Sequence, residues 1–377
     1  MRSGWGMLRA PRVDPQFSRA KRPSMSAFWS DVTRQLHPYI PGEQPKLSNL
    51  IKLNTNEHPL PPSAAVLQAI RAIEPDALRR YPDPDSIALR SVIAGQTGLA
   101  IDEVFVGNGS DEVLAHVFQA LISSSTIFSA PDITYSFYPV WAQLYRMQLN
   151  EVPLLDDFHI NVPAMCAAPG PLLLANPNAP TGIALSIEQL EQLVASDRQR
   201  LVVVDEAYFG FGARSAVSLL ADYDNLLITR SLSKSHSLAG LRLGYALGSE
   251  PLIQGLVRVK DSFNSYPIDA IAQAAALAAV EDASWLQQAS TAVSCTREQL
   301  SRGLAKLGFE VLPSSANFVF CRHSSVSGKA IFDALRAQGI IIRRWDKPRI
   351  DDYLRITVGT DDQSEALLAA LDNILST

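Results

Sequence analysis

Three apolar runs constrain this chain more than any other feature: PLLLANP (171–177), RLVVVDEAY (200–208) and NLLITRS (225–231). Each is short, partly β-branched and followed by polar residues or turn formers. A strand with one wet face alternates apolar and polar residues, whereas an uninterrupted apolar strand is covered on both faces. The cover has to be helical, and the intervening sequence supplies it. SIEQLEQLVAS (186–196) opens with Ser186 and has Gln189 three residues later, a capping-box pattern, with apolar residues at helical spacing. GSDEVLAHVFQALIS (109–123) begins with turn and cap residues, then acids, then an apolar stripe. Strands alternating with helices predict an α/β unit with a mainly parallel sheet between helices.

The last hundred residues have a different rhythm. The pattern predicts a long helix over 283–307, a strand at 316–322, a helix at 327–339, strands at 340–343 and 353–359, and a closing helix at 364–376. That is a compact α+β unit, and the proline-rich segment before residue 60 is expected to wrap back onto it. The chain has 377 residues, 47% hydrophobic and 19% charged, enough for one large unit and one smaller one.

Charge and cysteine content exclude several functions. A net charge of -5 gives no general attraction to nucleic acid or to an anionic membrane. The basic residues Arg2, Arg9, Arg12, Arg19, Lys21 and Arg22 cluster in a leading segment that lacks the apolar core of a signal peptide. Residues 1–24 are expected to be a disordered tail. No apolar run approaches the roughly 18 residues of a membrane span. Cys166, Cys295 and Cys321 are far apart, with no CxxC or Cys/His cluster, so no structural zinc is expected and a reducing cytoplasm fits.

In an open α/β sheet, ligands bind beyond the carboxyl ends of the strands. Asp205 and Tyr208 follow one apolar run. Asp205 reads either as a helix cap or as a buried carboxylate that needs a cationic partner. NPNAPTG (176–182) follows another run as a rigid turn, and Asn178 offers a side-chain amide there. GNGSDE (107–112) places Ser110 and Asp111 at a helix start, where backbone N–H groups favour an anion. It is not a dinucleotide fingerprint, because the third glycine is missing. SLSKSHSLAGLR (231–242) supplies Ser231 and Ser233 hydroxyls and the Arg242 guanidinium, a set that suits a phosphate dianion. Lys234 lies among them as an amine able to condense with an aldehyde. Tyr135 offers an aromatic face. Arg355, inside a predicted strand, reads either as a surface ion-pair residue or as a carboxylate ligand.

Taken together, DEAY, SLSKSHSLAGLRLGY, NPNAPTG and LRITVGT, with HPYIPGEQP, KLNTNEHP, RYPDP, GNGSDE and KDSFNSYP, resemble the fold-type I pyridoxal-phosphate aminotransferases. The resemblance is narrower with the branch that acts on histidinol phosphate, and it runs from about Leu36 to the C-terminus. It implies an aspartate aminotransferase-like fold: an arm at 25–60 joining the small domain, a large cofactor domain at 61–280 and a small domain at 281–377. It implies pyridoxal 5'-phosphate as cofactor, held covalently by Lys234. Asp205 would pair with the pyridine nitrogen, Tyr208 would touch the ring oxygen and Tyr135 would stack on the ring. Ser110, Asp111, Ser231, Ser233 and Arg242 would hold the phosphate, together with Tyr81 from a second subunit of a homodimer.

Toward substrate, the resemblance implies Arg355 and Asn56 at the α-carboxylate and Tyr39 and Arg343 at the distal end. The acceptor would be 2-oxoglutarate and the compartment the cytoplasm. Many relatives carry Asn where this chain has Ala179, so Asn178 or Tyr208 alone is expected to make the ring-oxygen contact. Aminotransferases for aromatic amino acids or other phosphorylated or phosphonate amines share these motifs, as does a threonine-phosphate-type decarboxylase. A non-catalytic sensor built on this fold would need an added DNA-binding unit, and Lys234 speaks against it.

Overall fold

The computed structural model describes residues 26–45, 50–122 and 126–376. The expected tail at 1–24 lies outside the described residues. The strands are β1 (Ile51–Lys52), β2 (Val104–Gly107), β3 (Ile127–Pro131), β4 (Gln148–Val152), β5 (Leu172–Ala175), β6 (Val202–Asp205), β7 (Leu226–Ser231), β8 (Gly244–Gly248), β9 (Phe309–Val311), β10 (Phe318–His323), β11 (Ile340–Ile341), β12 (Arg343–Arg344) and β13 (Leu354–Thr357).

Seven of these form one sheet in the order β2-β8-β7-β6-β5-β3-β4. The pairs β3–β4, β3–β5, β5–β6 and β6–β7 are parallel, and β8 runs antiparallel to both of its neighbours. The sheet is mainly parallel, and the architecture is α/β. The three apolar runs are its centre, β5, β6 and β7. Successive residues point to opposite faces. Leu172, Leu174, Val202, Val204, Leu226 and Ile228 join a core with the helices Ile187–Ala195 and Ala270–Glu281. Leu173, Val203 and Leu227 join a second core with the helices Ser110–Leu121 and Glu250–Phe263. Burial on both faces is why these strands carry no polar alternation. Ser186 and Gln189 form the expected capping box.

The second sheet is antiparallel, in the order β12-β13-β10-β9. Its face packs with Leu300 and Leu304 of the helix Ala283–Lys306 and Leu367 and Leu371 of the helix Asp361–Leu375. That last helix starts three residues before the expected boundary at 364, because Thr360 and Gln363 form a capping box ahead of the apolar stripe. The predicted strand at 340–343 is two strands. Ile340 and Ile341 pair in parallel with Ile51 and Lys52, and Arg343 and Arg344 turn to pair with Arg355 and Leu354. Leu53, just after β1, is buried in the core of this smaller sheet.

Among the described residues, no helix is long and apolar enough to cross a membrane, and no cluster of His, Cys, Asp or Glu could hold a metal ion.

Candidate active site

A cavity of about 260 Å³ opens where the parallel strands end. The sequence-predicted residues reach it from different elements. Asp205 is the last residue of β6, and its Cα pairs with Ala175 of β5 and Thr229 of β7. Its carboxylate accepts from the Thr229 hydroxyl at 3.1 Å and from Ala207 N–H at 3.2 Å. Among the described residues no cation pairs with it. Burial pushes its pKa up to about 7, against the lowering from the Thr229 hydrogen bond. A buried carboxylate in this state lacks a positive partner and fits a cationic nitrogen of a ligand.

Ser231 closes β7 and caps the short helix Leu232–Ser235, accepting from Ser233 N–H at 3.1 Å. Lys234 projects from this turn, and its Nζ donates to the Thr55 carbonyl at 2.8 Å. Burial pulls its pKa down to about 8, and the nearby Arg355 cation adds to the shift. A half-buried, weakly held amine is a good nucleophile and proton carrier near neutral pH.

Arg242 has left-handed backbone (φ 52°) and donates to Ser233 Oγ at 3.3 Å and to Asp111 Oδ2 at 3.2 Å. Its guanidinium packs over Gly109, where φ is 86° and an added Cβ would come within 2.6 Å of an Arg242 nitrogen. Glycine is therefore needed for both the turn and the close approach. The helix Ser110–Leu121 starts beside it, so its first N–H groups, the Ser231 and Ser233 hydroxyls and Arg242 converge as an anion cradle. The Asp111 carboxylate also accepts from the Tyr135 hydroxyl at 3.0 Å. Being an acceptor already shared by Arg242 and Tyr135, it orients those groups, and only its backbone N–H suits an anion.

On the opposite wall, Asn56 Nδ2 donates to the Tyr208 hydroxyl at 2.9 Å. The Asn56 backbone is held in turn by Thr357 Oγ1 and Asn317 Nδ2. Burial raises the Tyr208 pKa, and Arg355 opposes that shift. Arg343 and Arg355 are direct partners across β12 and β13. Arg355 donates to the Asn54 carbonyl at 2.8 Å, and its buried Nε has no partner. Burial holds its pKa below the usual arginine value, and Arg343 adds to this. Tyr39 completes the rim, its ring 5.0 Å from Phe137.

The description "Aminotransferase class I and II" belongs to the family model that matches residues 48–371. The chain belongs to the class I and II aminotransferases. It is 53% identical over 351 residues to a histidinol-phosphate aminotransferase of Bradyrhizobium diazoefficiens, covering 93% of this chain and all of that one. It is 52% identical over 351 residues to one of Acetobacter pasteurianus, covering 93% of this chain and 99% of the relative. A solved histidinol-phosphate aminotransferase from Sinorhizobium meliloti, in complex with pyridoxal-5'-phosphate, superposes with a TM-score of 0.86 at 26% identity, covering 94% of this chain and 99% of that one.

Two expected site residues of this aminotransferase lie off the cavity. Asn178 is buried behind the wall. Its Nδ2 donates to the Ile133 carbonyl and Thr181 Oγ1, and its Oδ1 accepts from Thr134 Oγ1. Its amide joins the turn to the segment after β3, and Ala179 and Pro180 line the cavity at this point. Tyr81 is 81% exposed and stacks on Tyr266 at 4.5 Å, away from the cavity of its own chain.

Thr55, Asn54 and Trp345 also line the cavity and Thr229 supports Asp205, without any mark in the local sequence. Thr229 opens the serine-rich segment, but only the register of β6 and β7 sets it level with Asp205. Ser235 and His236 hold the turn from below: the Ser235 hydroxyl donates to the Ser231 carbonyl at 3.2 Å and lies 2.8 Å from His236 Nδ1.

His236 is buried, and burial brings its pKa down to about 4, with Arg230 adding to the effect. Above pH 6.5 the imidazole is neutral in both folded and unfolded chains and costs nothing. Below it, the unfolded chain takes up a proton that the folded chain refuses. Stability should therefore fall as pH drops from 6.5 to 4, by about 3 kcal/mol from this group alone. Tm against pH for the protein and for His236→Asn checks this: the variant should lose less over that window, and parallel curves would refute it.

Proposed function

We propose that this aminotransferase moves the amine of L-histidinol phosphate to 2-oxoglutarate, giving imidazole-acetol phosphate and glutamate, with pyridoxal 5'-phosphate as cofactor in histidine biosynthesis. The observation that carries the reading is the 53% identity to a histidinol-phosphate aminotransferase across that enzyme's whole length. The cavity supports it through two arginines, Arg343 and Arg355, that have no carboxylate partner among the described residues.

The donor set fits the cofactor. Asp205 lacks the cation that a protonated pyridine nitrogen would provide. Ser110, the Asp111 N–H, Ser231, Ser233 and Arg242 would hold the phosphate, Tyr135 would lie on the ring face, and Tyr208 would donate to the ring oxygen while accepting from Asn56. Lys234 would hold the cofactor covalently. When bound, pyridoxal phosphate supplies an electron sink that makes the hydrogen on the amine-bearing substrate carbon acidic.

The chain's own residues do the rest. Asp205 stays anionic opposite a cation and keeps the sink effective. Lys234, with its pKa near 8, takes the proton from the amine-bearing carbon and returns one to the other side. Arg355 and Asn56 orient the α-carboxylate of glutamate and 2-oxoglutarate. Arg343 and Tyr39 accept the distal anion, the side-chain carboxylate in one half-reaction and the phosphate in the other.

The active form would be a homodimer, in which Tyr81 reaches the cofactor phosphate of a second copy. The exposed aromatic group Tyr81, Phe263 and Tyr266 is the surface for it. The division into an arm at 25–60, a large domain at 61–280 and a small one at 281–377 belongs to the same reading. The test is one preparation: the protein should sediment as a dimer and should turn over histidinol phosphate with 2-oxoglutarate at a kcat/KM at least about tenfold above phenylalanine or tyrosine. A preference for the aromatic amino acids would overturn the substrate assignment.

A further inference from the structure

Trp345 follows β12 directly and forms a wall shared by the main cavity and a smaller chamber of about 110 Å³ beside it. Its ring centroid lies 5.5 Å from the Arg343 guanidinium carbon and 5.2 Å from that of Arg355. Both are cation–π distances, and one indole serves two cations. The ring is fixed from behind by Phe320, at 6.4 Å and near perpendicular, which is itself stacked on Tyr353 at 4.8 Å.

The arrangement needs a reason. Arg343 and Arg355 are level with each other on adjacent antiparallel strands, and like charges in that position repel. Among the described residues no acid neutralises either one; Arg355 donates to the Asn54 carbonyl, and its Nε is buried and unpartnered. Left alone, two such guanidiniums would swing apart or toward solvent. An electron-rich face beside both lowers the cost of keeping them close without supplying an anion that would compete with the substrate.

We propose that Trp345 is a positioning residue that holds Arg343 and Arg355 as a two-point clamp, and thereby favours glutamate and 2-oxoglutarate, the half-reaction partners that carry an anion at each end. The clamp rests on the substrate roles given above, and Trp345 touches neither reacting atom. Its chemistry matches a C5 dicarboxylate, where both ends of one molecule are anionic and three carbons lie between the carboxylates.

Glutarate, a dicarboxylate with no keto group, tests the clamp without turnover. Its dissociation constant is measured by calorimetry on cofactor-loaded protein for the parent, Trp345→Leu and Trp345→Phe. The leucine variant should bind glutarate about tenfold more weakly, and phenylalanine, which keeps a π face, should restore most of that loss. In steady-state assays the leucine variant should raise KM for 2-oxoglutarate about tenfold with kcat within about twofold. Unchanged Tm and cofactor absorbance establish that both variants are folded and loaded, and the phenylalanine variant carries the test should leucine not fold. Parent-like glutarate binding by the leucine variant, equal losses in both variants, or a fall in kcat at constant KM would each overturn the proposal. So would a parent that does not bind glutarate. A parent that binds glutarate yet does not turn over histidinol phosphate would sink the substrate reading alone.

Discussion

Lys234→Ala should lower turnover of histidinol phosphate by about 10⁴-fold or more, because it removes the group proposed as both proton carrier and covalent anchor. The variant should fold. Lys234 is half-buried, and the nearby Arg355 cation lowers its pKa, so deleting the ammonium relieves a repulsion and leaves only a small void. The one hydrogen bond lost is to the Thr55 carbonyl. A steady-state rate with the visible spectrum of the loaded protein checks the expectation. Loss of turnover with Tm at or above that of the parent is the expected pattern, and full activity would remove Lys234 from the chemistry.

Arg230→Met should destabilise the protein by about 3–5 kcal/mol, the usual cost of stripping one partner from a buried ion pair. Arg230 Nε donates to Glu206 Oε2 at 2.9 Å, and the two side chains are 6% and 2% exposed. Glu206 also accepts from Ser215 Oγ at 2.8 Å and from Ala216 N–H at 2.7 Å, and the Arg230 guanidinium lies 3.7 Å from the Phe209 ring centroid. In the variant the carboxylate stays buried without its cation. Arg230→Met/Glu206→Leu removes both charges and should recover much of the loss, as measured by denaturant midpoints. A single variant within about 1 kcal/mol of the parent would show that Glu206 finds other compensation. Glu206 adjoins Asp205 and Arg230 adjoins Ser231, so the same variant loosens the two strand ends that present the site.

The sequence was most readable where one element sufficed. β5, β6 and β7 are apolar throughout because both faces are covered, and the capping box at Ser186 needs only local chemistry. It was less readable where partners come from afar. Nothing around Thr229 marks it as the hydroxyl under Asp205 until β6 and β7 are in register. Trp345 sits in a short polar turn with no periodic pattern, and its significance comes from two arginines that only strand pairing brings together. An amide next to a site motif, as at Asn178, looks like a ligand, while its hydrogen bonds tie its own turn, at Thr181, to the segment after β3, at Ile133 and Thr134. The break inside 340–343 was hidden for the same reason: β-branched Ile340–Ile342 reads as one strand, and only the pairing of β11 with β1 separates it from β12.

That parallel pairing of β1 with β11 has a consequence for how the chain is made. Ile51 and Lys52 leave a ribosome long before their partners Ile340 and Ile341. The whole seven-stranded sheet lies between them, so this pairing waits until that sheet has been made. Closing so long a loop in an unstructured chain costs more entropy, although each doubling adds only about 0.6 kcal/mol. Prior folding of the intervening sheet shortens the effective tether. The early segment then waits as a nascent strand with its partner missing.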